Sequence, residues 1–414
     1  PSPAFASAAP SRARLVVWFA DRVTTPATSR RRVPDALMKA GLLLAATLVT
    51  LLLGECTMHA VGIGNPPFHD VHPIYGSAPI PGAEGVYRRE GRAHVRITEH
   101  GFRGVDRPRE KPPGTFRLAV LGDSYTEARQ VELPQAFASP FEPMLAECPA
   151  LEGRRVEVLN FGSTGWGTAQ EHLALRHAAL AWDPDAVLLA FLSGNDLSDN
   201  HPDLNFAPRP FYRLEGGALV LDESFRDSSW YRERSEGGPT RLLRRHSRIY
   251  QLFAQLGGRS AAREQRGELG IDDAIYAPPR TEAWTEAWDV TEAILRQMSG
   301  ELRAEGRGFY VVTLSNAIQV DPDPARRDAY RREIGIEGDL FYPDERVAAA
   351  GARDGYPVLT LAPRLRAHAE REHVYLHGFA NTQMGTGHWN ARGHRVAAWV
   401  MGRWLCDRLG DTGS

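Results

Sequence analysis

No two of the three cysteines in this chain, Cys56, Cys148 and Cys406, stand close in sequence, and none belongs to a CxxC pair. Their spacing gives neither a zinc site nor a disulfide framework. One bridge stays open to a chain exported into an oxidising compartment. Lysine is scarce, arginine is scattered among acids, and the net charge of the 414 residues is -2, so no basic field invites nucleic acid. Internal repeats are absent. Apolar residues make up 43% and charged residues 24%, an ordinary globular balance. The length admits one large domain with appendages, or two domains.

Long hydrophobic runs are lacking too, with one exception near the amino terminus: "ALMKAGLLLAATLVTLLLGEC", from Ala36 to Cys56. Its uninterrupted part, Ala40 to Gly54, is short for a span. Ala36 to Met38, with Lys39 snorkelling, bring it near the ~17–20 residues a membrane helix needs. Arg30-Arg31-Arg32 precede the run and Glu55 follows it, which orients the amino terminus toward the cytoplasm. A cleaved signal peptide would need a small-x-small site that does not follow, and Glu55 opposes a lipoprotein reading of Cys56. A buried core helix is the bland alternative. The expectation is a transmembrane anchor or signal segment over 36–56, a disordered 1–35 region, and an extracytoplasmic remainder.

Residues 57–113 read as a linker and small β segment, rich in Pro and Gly from Gly64 to Pro113. "GNPPFHDVHPIYGSAPIPGAEG" reads as an extended linker and "GVYRREGRAHVRITEHGFRG" as a hairpin or small β cap. An α/β alternation then begins. "TFRLAVLG", "RRVEVLNFG", "PDAVLLAFLSG", "GFYVVTLSN" and "YPVLTLAP" read as strands. "PQAFASPFEPMLAEC", "TAQEHLALRHAALAW", "EAWDVTEAILRQMSGELRAEG", "DERVAAAGARDG" and "NARGHRVAAWVMGRWLCDRL" read as helices. The third strand is so apolar that both its faces should be buried in a parallel sheet. From about 200 to 280 the pattern fails, and that stretch reads as an insertion holding a hairpin and the amphipathic helix "TRLLRRHSRIYQLFAQL".

Three strand ends carry small and polar residues: Gly122-Asp123-Ser124, Asn160 to Thr168, and Ser193-Gly194-Asn195-Asp196. In an open parallel sheet, strand carboxyl ends are where ligands bind, so all three converge on one edge. Ser124 there is either a helix cap or a nucleophile. No GxSxG elbow surrounds it, which excludes an ordinary α/β-hydrolase arrangement.

In order, "VLGDSYT", "LNFGSTGWGT", "SGNDLSDN" and "GHWNARGHRVAA" resemble the conserved blocks of the SGNH (GDSL-type) hydrolase superfamily. The resemblance runs from about Phe116 to the end, apart from the insertion, and "VRITEHGFRG" is similar to the segment preceding this domain in membrane-anchored bacterial members. It implies a flavodoxin-like three-layer α/β sandwich with a central parallel sheet over 114–414. It further implies Ser124 as nucleophile, His388 as base (with His394 its competitor), and an oxyanion hole from the Ser124 and Gly165 N–H groups and the Asn195 amide. Neither metal nor organic cofactor is implied. Asp123 and Asp196 are supporting candidates, Asp123 as a brace for the turn. Tyr125, Trp166 and Trp389 line a cleft or pack the core. One departure stands out. Most members carry an aspartate three residues before the histidine, where this chain has Gly385. The third partner is then the Gly385 carbonyl, a distant carboxylate, or nothing. The implied reaction is hydrolysis of acyl esters through an acyl-serine, on a substrate such as an acetylated envelope glycan or a lipid. The alternatives are an O-acetyltransferase acting on envelope polysaccharide and a catalytically silent glycan-binding protein.

Overall fold

The structure, a computed structural model, describes residues 35–61, 67–258 and 270–411. The region expected to be disordered lies outside them, apart from Asp35. The chain divides into two units, one ending at Leu52 and one beginning at Leu53. The first carries most of α1 (Asp35–Val61), a 27-residue helix long and apolar enough to cross a membrane, with no buried residue.

Within the second unit the chain first makes two small antiparallel hairpins. β1 (His69–His72) pairs with β2 (Gly76–Pro79), and β3 (Glu84–Tyr87) with β4 (Ala93–Arg96). The first occupies the stretch read as an extended linker. His72 stacks on Tyr75 at its turn, at 4.5 Å, a contact with no local sequence pattern.

The central sheet follows: β5 (Thr115–Gly122), β6 (Arg155–Gly162), β7 (Ala186–Phe191), β10 (Gly308–Thr313) and β11 (Val358–Thr360). These five strands are all parallel, in the order β6-β5-β7-β10-β11. Counted along the chain this is 2-1-3-4-5, the flavodoxin-like order, whose switch point lies between the first and third strands. β5 therefore ends at the position where such sheets open a crevice. Gly122 pairs with Gly162 on one side and Ala190 on the other, which puts the three polar strand ends level with one another.

Alternation along the strands builds the three layers. Ala119 and Leu121 face α4 (Thr168–His177), α8 (Glu282–Ala304) and α10 (Tyr342–Asp354). Leu118 and Val120 face α3 (Phe141–Ala146), α11 (Ala362–Glu372) and α12 (Ala391–Asp411). All eight β5 residues are buried, and each large aliphatic among them contributes roughly 1.5–3 kcal/mol of transfer free energy.

Several helices differ from the sequence reading. The helix expected after Pro134 is cut to α3, because Pro140 sits at its N-cap and Pro143 in its first turn. α4 ends at His177, and a tighter 3-10 turn takes over from Ala179 to Trp182. α9 (Pro324–Glu333) and α11 were not anticipated. The insertion holds the hairpin β8 (Phe211–Glu215) and β9 (Ala218–Asp222), then α5 (Ser229–Ser235), α6 (Pro239–His246) and α7 (Arg248–Gly258). α6 and α7 were read as one helix and are broken at Ser247, whose hydroxyl accepts the Tyr250 N–H at 3.1 Å and so caps the second. Cys148 and Cys406 form a disulfide that ties the end of α3 to α12; Cys56 is free.

Candidate active site

Ser124 opens α2 (Ser124–Glu127), a single turn directly after β5. Asp123 caps it, accepting the Tyr125 N–H at 2.8 Å. Ala128 ends it in the left-handed conformation, at φ 54°. That costly turn is clamped by the buried Arg103, which donates to the carbonyls of Glu127 (3.0 Å), Ala128 and Val131 (2.6 Å). Burial away from water lowers the Arg103 pKa to about 10. The "GFRG" segment thus works as a brace under the Ser124 turn.

The loop before α12 brings His388 to Ser124. The Ser124 hydroxyl lies 2.8 Å from His388 Nε2, against 3.3 Å to Asp123 Oδ2, so the imidazole is the better acceptor for its single proton. On the other side of the ring, His388 Nδ1 lies 2.5 Å from Glu90 Oε2, and the His388 backbone N–H donates to Glu90 Oε1 at 2.7 Å. Both carboxylate oxygens are engaged, which fixes the tautomer with its proton on Nδ1. Burial pushes the Glu90 carboxyl up, but the hydrogen bonds and charge of His388 outweigh it and leave the pKa below its ordinary value.

Glu90 was not among the residues singled out in the sequence. It lies in the turn between β3 and β4, in "RREGRAH", and is 298 residues from its partner. Asn381 holds that turn in place: its Oδ1 accepts the Gly91 N–H at 2.9 Å, and its Nδ2 donates to the Arg88 and Gly91 carbonyls at 3.1 and 3.0 Å. Of the three options left open for the third partner, the distant carboxylate is the one present. An acid at Gly385 would be strained. Its φ is 77°, and a Cβ there would come within 2.8 Å of Arg326 Nη1 and of the Tyr375 ring. Its carbonyl is not what His388 Nδ1 meets.

The other candidates lie in the loops after β6 and β7, at the same edge of the sheet. Gly165 has a φ of 78°, which favours glycine, while a Cβ there would meet no protein atom. The physical reason for glycine is thus the turn itself rather than protein crowding. Its loop is pinned by Glu127, whose Oε2 accepts the Thr164 N–H at 2.7 Å and the Thr164 hydroxyl. The Glu127 pKa is well below normal: burial raises it, but Arg129 and His69 (3.3 Å) override that. Asn195 is half-buried and uses one amide hydrogen on Asp199 at 3.4 Å, leaving the other for an incoming oxygen. Asn200 Oδ1 accepts the Ala169 N–H at 3.0 Å, so the Asn195 block also caps α4 behind Gly165.

Asp123 and Asp196 are both fully buried. The Asp123 pKa is raised to about 6, chiefly by burial. Asp196 is raised well above normal by burial and by neighbouring Glu171 and Asp123, and its Oδ2 accepts the Leu192 N–H at 2.7 Å. Both brace backbone rather than meet His388. His394 is buried, accepts the Phe137 N–H at 3.3 Å, and stays away from Ser124. Trp166 packs against Tyr75 and donates to the Ser77 carbonyl at 2.8 Å; Tyr125 and Trp389 are also buried. All three are packing residues.

A second histidine stands behind the first. His377 is buried; its Nδ1 lies 2.6 Å from the Gly387 carbonyl and its Nε2 3.1 Å from Ser315 Oγ, which in turn accepts Trp389 Nε1–H at 2.9 Å. The Tyr125 hydroxyl donates to the same carbonyl at 3.1 Å. Gly387 and Trp389, either side of His388, are therefore both fixed by one internal chain. Burial lowers the His377 pKa to about 4, so this ring is neutral at neutral pH.

No family model and no curated protein matches the chain. Solved structures with a similar fold include a lipase/acylhydrolase from Enterococcus faecalis, at 15% identity and a TM-score of 0.37, covering 71% of this chain and 97% of that one. TesA has 13% identity and a TM-score of 0.34, over 70% and 97%. A catalytic mutant of Axe2, an acetylxylan esterase from Geobacillus stearothermophilus, has 13% identity and a TM-score of 0.35, over 70% and 93%. The chain's own geometry sets its chemistry: a serine hydroxyl, an imidazole and a carboxylate in one hydrogen-bonded line at the carboxyl edge of a parallel sheet.

Proposed function

We propose that the chain is a serine esterase of the SGNH type that cleaves acyl esters through an acyl-Ser124 intermediate. The observation that carries the reading is the continuous line from Ser124 Oγ through His388 to Glu90, at 2.8 and 2.5 Å. A serine hydroxyl attacks a carbonyl only when a base takes its proton, and His388 Nε2 is placed to do so. Glu90 holds the ring and stabilises the imidazolium as it forms. The developing oxyanion meets the Ser124 and Gly165 N–H groups and the Asn195 amide. His388 then returns the proton to the leaving alcohol, and a water attacks the acyl-enzyme by the same route in reverse. Acetyl groups on envelope glycans or the acyl chains of lipids suit an enzyme anchored by α1 with its catalytic unit outside the cytoplasm. The Cys148–Cys406 disulfide supports that placement, because such bridges persist in oxidising compartments.

Fluorophosphonate labelling tests the reading, since the reagent needs an activated serine and almost no substrate recognition. Wild-type protein should label, and Ser124→Ala and His388→Ala should not. A folded wild type that resists the reagent would overturn it.

A further inference from the structure

The insertion carries an exposed surface that the ester chemistry does not use. Leu242 is 65% exposed, Leu243 46%, Leu252 37% and Phe253 67%. On α7, Ile249, Leu252 and Phe253 fall at i, i+3 and i+4, one helical face. Beside these apolar residues stand Arg244, Arg245 and Arg248. None of the three has an ion-pair partner among the described residues, whereas Arg241 on the same element is paired with Asp70 at 3.0 Å.

What lies next to this surface says what covers it. Glu55, the first residue after the apolar run, caps α7. Its carboxylate accepts the Ser247 hydroxyl at 2.9 Å, the Ile249 N–H at 3.2 Å and the Arg248 N–H. A Cβ built on Gly54, the last residue of the run, would lie 3.5 Å from Ile249 Cδ1. One helical turn on, His59 Nε2 reaches the His246 carbonyl at 3.2 Å. The α6–α7 corner is thus fastened to the residues where the hydrophobic segment ends. On α6, Arg244 and Arg245 fall on the face opposite Leu242 and Leu243, and on α7 Arg248 lies one turn before Leu252 at the edge of the apolar face. This is the pattern of helices lying in a bilayer interface, the apolar side ~5–10 Å into the headgroup boundary with arginines at its rim.

We propose that α6 and α7 form a membrane-interface platform in which Leu242, Leu243, Leu252 and Phe253 enter the acyl boundary of an anionic bilayer and Arg244, Arg245 and Arg248 bind lipid phosphates. The inference rests on α1 as the membrane span. It gives the insertion a purpose, holding the catalytic unit against the surface that bears its substrate.

The test uses the full chain with Cys56→Ser, reconstituted in vesicles of equimolar phosphatidylglycerol and phosphatidylcholine. Single cysteines introduced by Leu242→Cys, Phe253→Cys, Leu44→Cys or Glu337→Cys are labelled with bimane and challenged with acyl-brominated lipid. Quenching at positions 242 and 253 as well as 44, with none at 337, is the expected result. Quenching at 44 but not at 242 and 253 overturns the platform and leaves the anchor standing; no quenching at 44 overturns both. Unquenched but blue-shifted bimane at 253, with crosslinks between 253 cysteines, overturns it in favour of a second copy of the chain. In the Phe253→Cys background, Arg244→Gln with Arg245→Gln should reduce quenching in anionic vesicles to the level seen in phosphatidylcholine alone. Quenching unchanged by those substitutions overturns the phosphate contacts.

Discussion

Ser124 and Glu90 converge on one histidine from opposite kinds of structure. Ser124 is placed by topology: it follows β5, a fully buried interior strand of the five-stranded sheet, at the switch point. Glu90 is placed by attachment. It sits in the turn of a two-stranded hairpin whose hold on the histidine loop comes from the carboxylate and from Asn381. A serine that is to serve as the proposed nucleophile must be exposed yet rigid, and needs the sheet behind it. An orienting acid needs only to reach Nδ1, so a surface appendage suffices.

Four measurements break or sharpen that contrast. The largest effect is expected from Glu90→Gln, which keeps the shape but supports the wrong tautomer; kcat on an activated acetyl ester should fall about 10⁴-fold, as for the equivalent change in a serine protease triad. A loss of only a few-fold would reduce the hairpin to scaffolding. On the sheet side, Asn195→Ala removes one of the proposed oxyanion donors and should lower kcat by ~10²–10³ with little change in KM. A rise in KM alone would move Asn195 from the reacting oxygen to ground-state binding.

Asn381→Ala separates placement from chemistry. It removes three hydrogen bonds to the hairpin turn, each worth about 1 kcal/mol, without touching the triad. We expect a loss of kcat smaller than that of Glu90→Gln and retained fluorophosphonate labelling; a loss as large as that of Glu90→Gln would mean the turn has no other support.

The smallest change in rate at neutral pH belongs to His377→Gln, whose signature is in stability. His377 is held below its ordinary pKa, at about 4 against 6.5, so the unfolded chain binds more protons between those values. Its share of stability is intact above pH 6.5 and drains away as pH falls toward 4. Thermal melts at pH 7.5 and 4.5 should lie closer together in the variant than in the wild type. An unchanged gap would refute the buried neutral ring.

What the sequence disclosed follows the same division. The five core strands and the three polar strand ends are written in short local patterns, because a buried parallel strand demands consecutive apolar residues and ends abruptly. α11 was legible too, with Ala362, Leu365 and Ala369 buried on one face, but the strand reading took in its first two residues and the rest was left unassigned. Glu90 left no such trace. A carboxylate in a polar turn, flanked by Arg88, Arg89 and Arg92, looks like any solvated loop, and only the folded chain reveals its partner. The absence of an acid at Gly385 was the one available signal, and it said that something was missing without saying where to look.

The hairpin also separates two boundaries that usually coincide. Judged by packing, the α/β domain begins at Thr115, where the sheet starts. Judged by the proposed chemistry, it begins before Glu90. A fragment trimmed to the sheet, or a proteolytic nick between residues 103 and 115 followed by release of the hairpin, would leave the sandwich in place while discarding both the acid and the Arg103 clamp. Inactivation would then need no unfolding and no change to any residue of the recognisable sequence blocks.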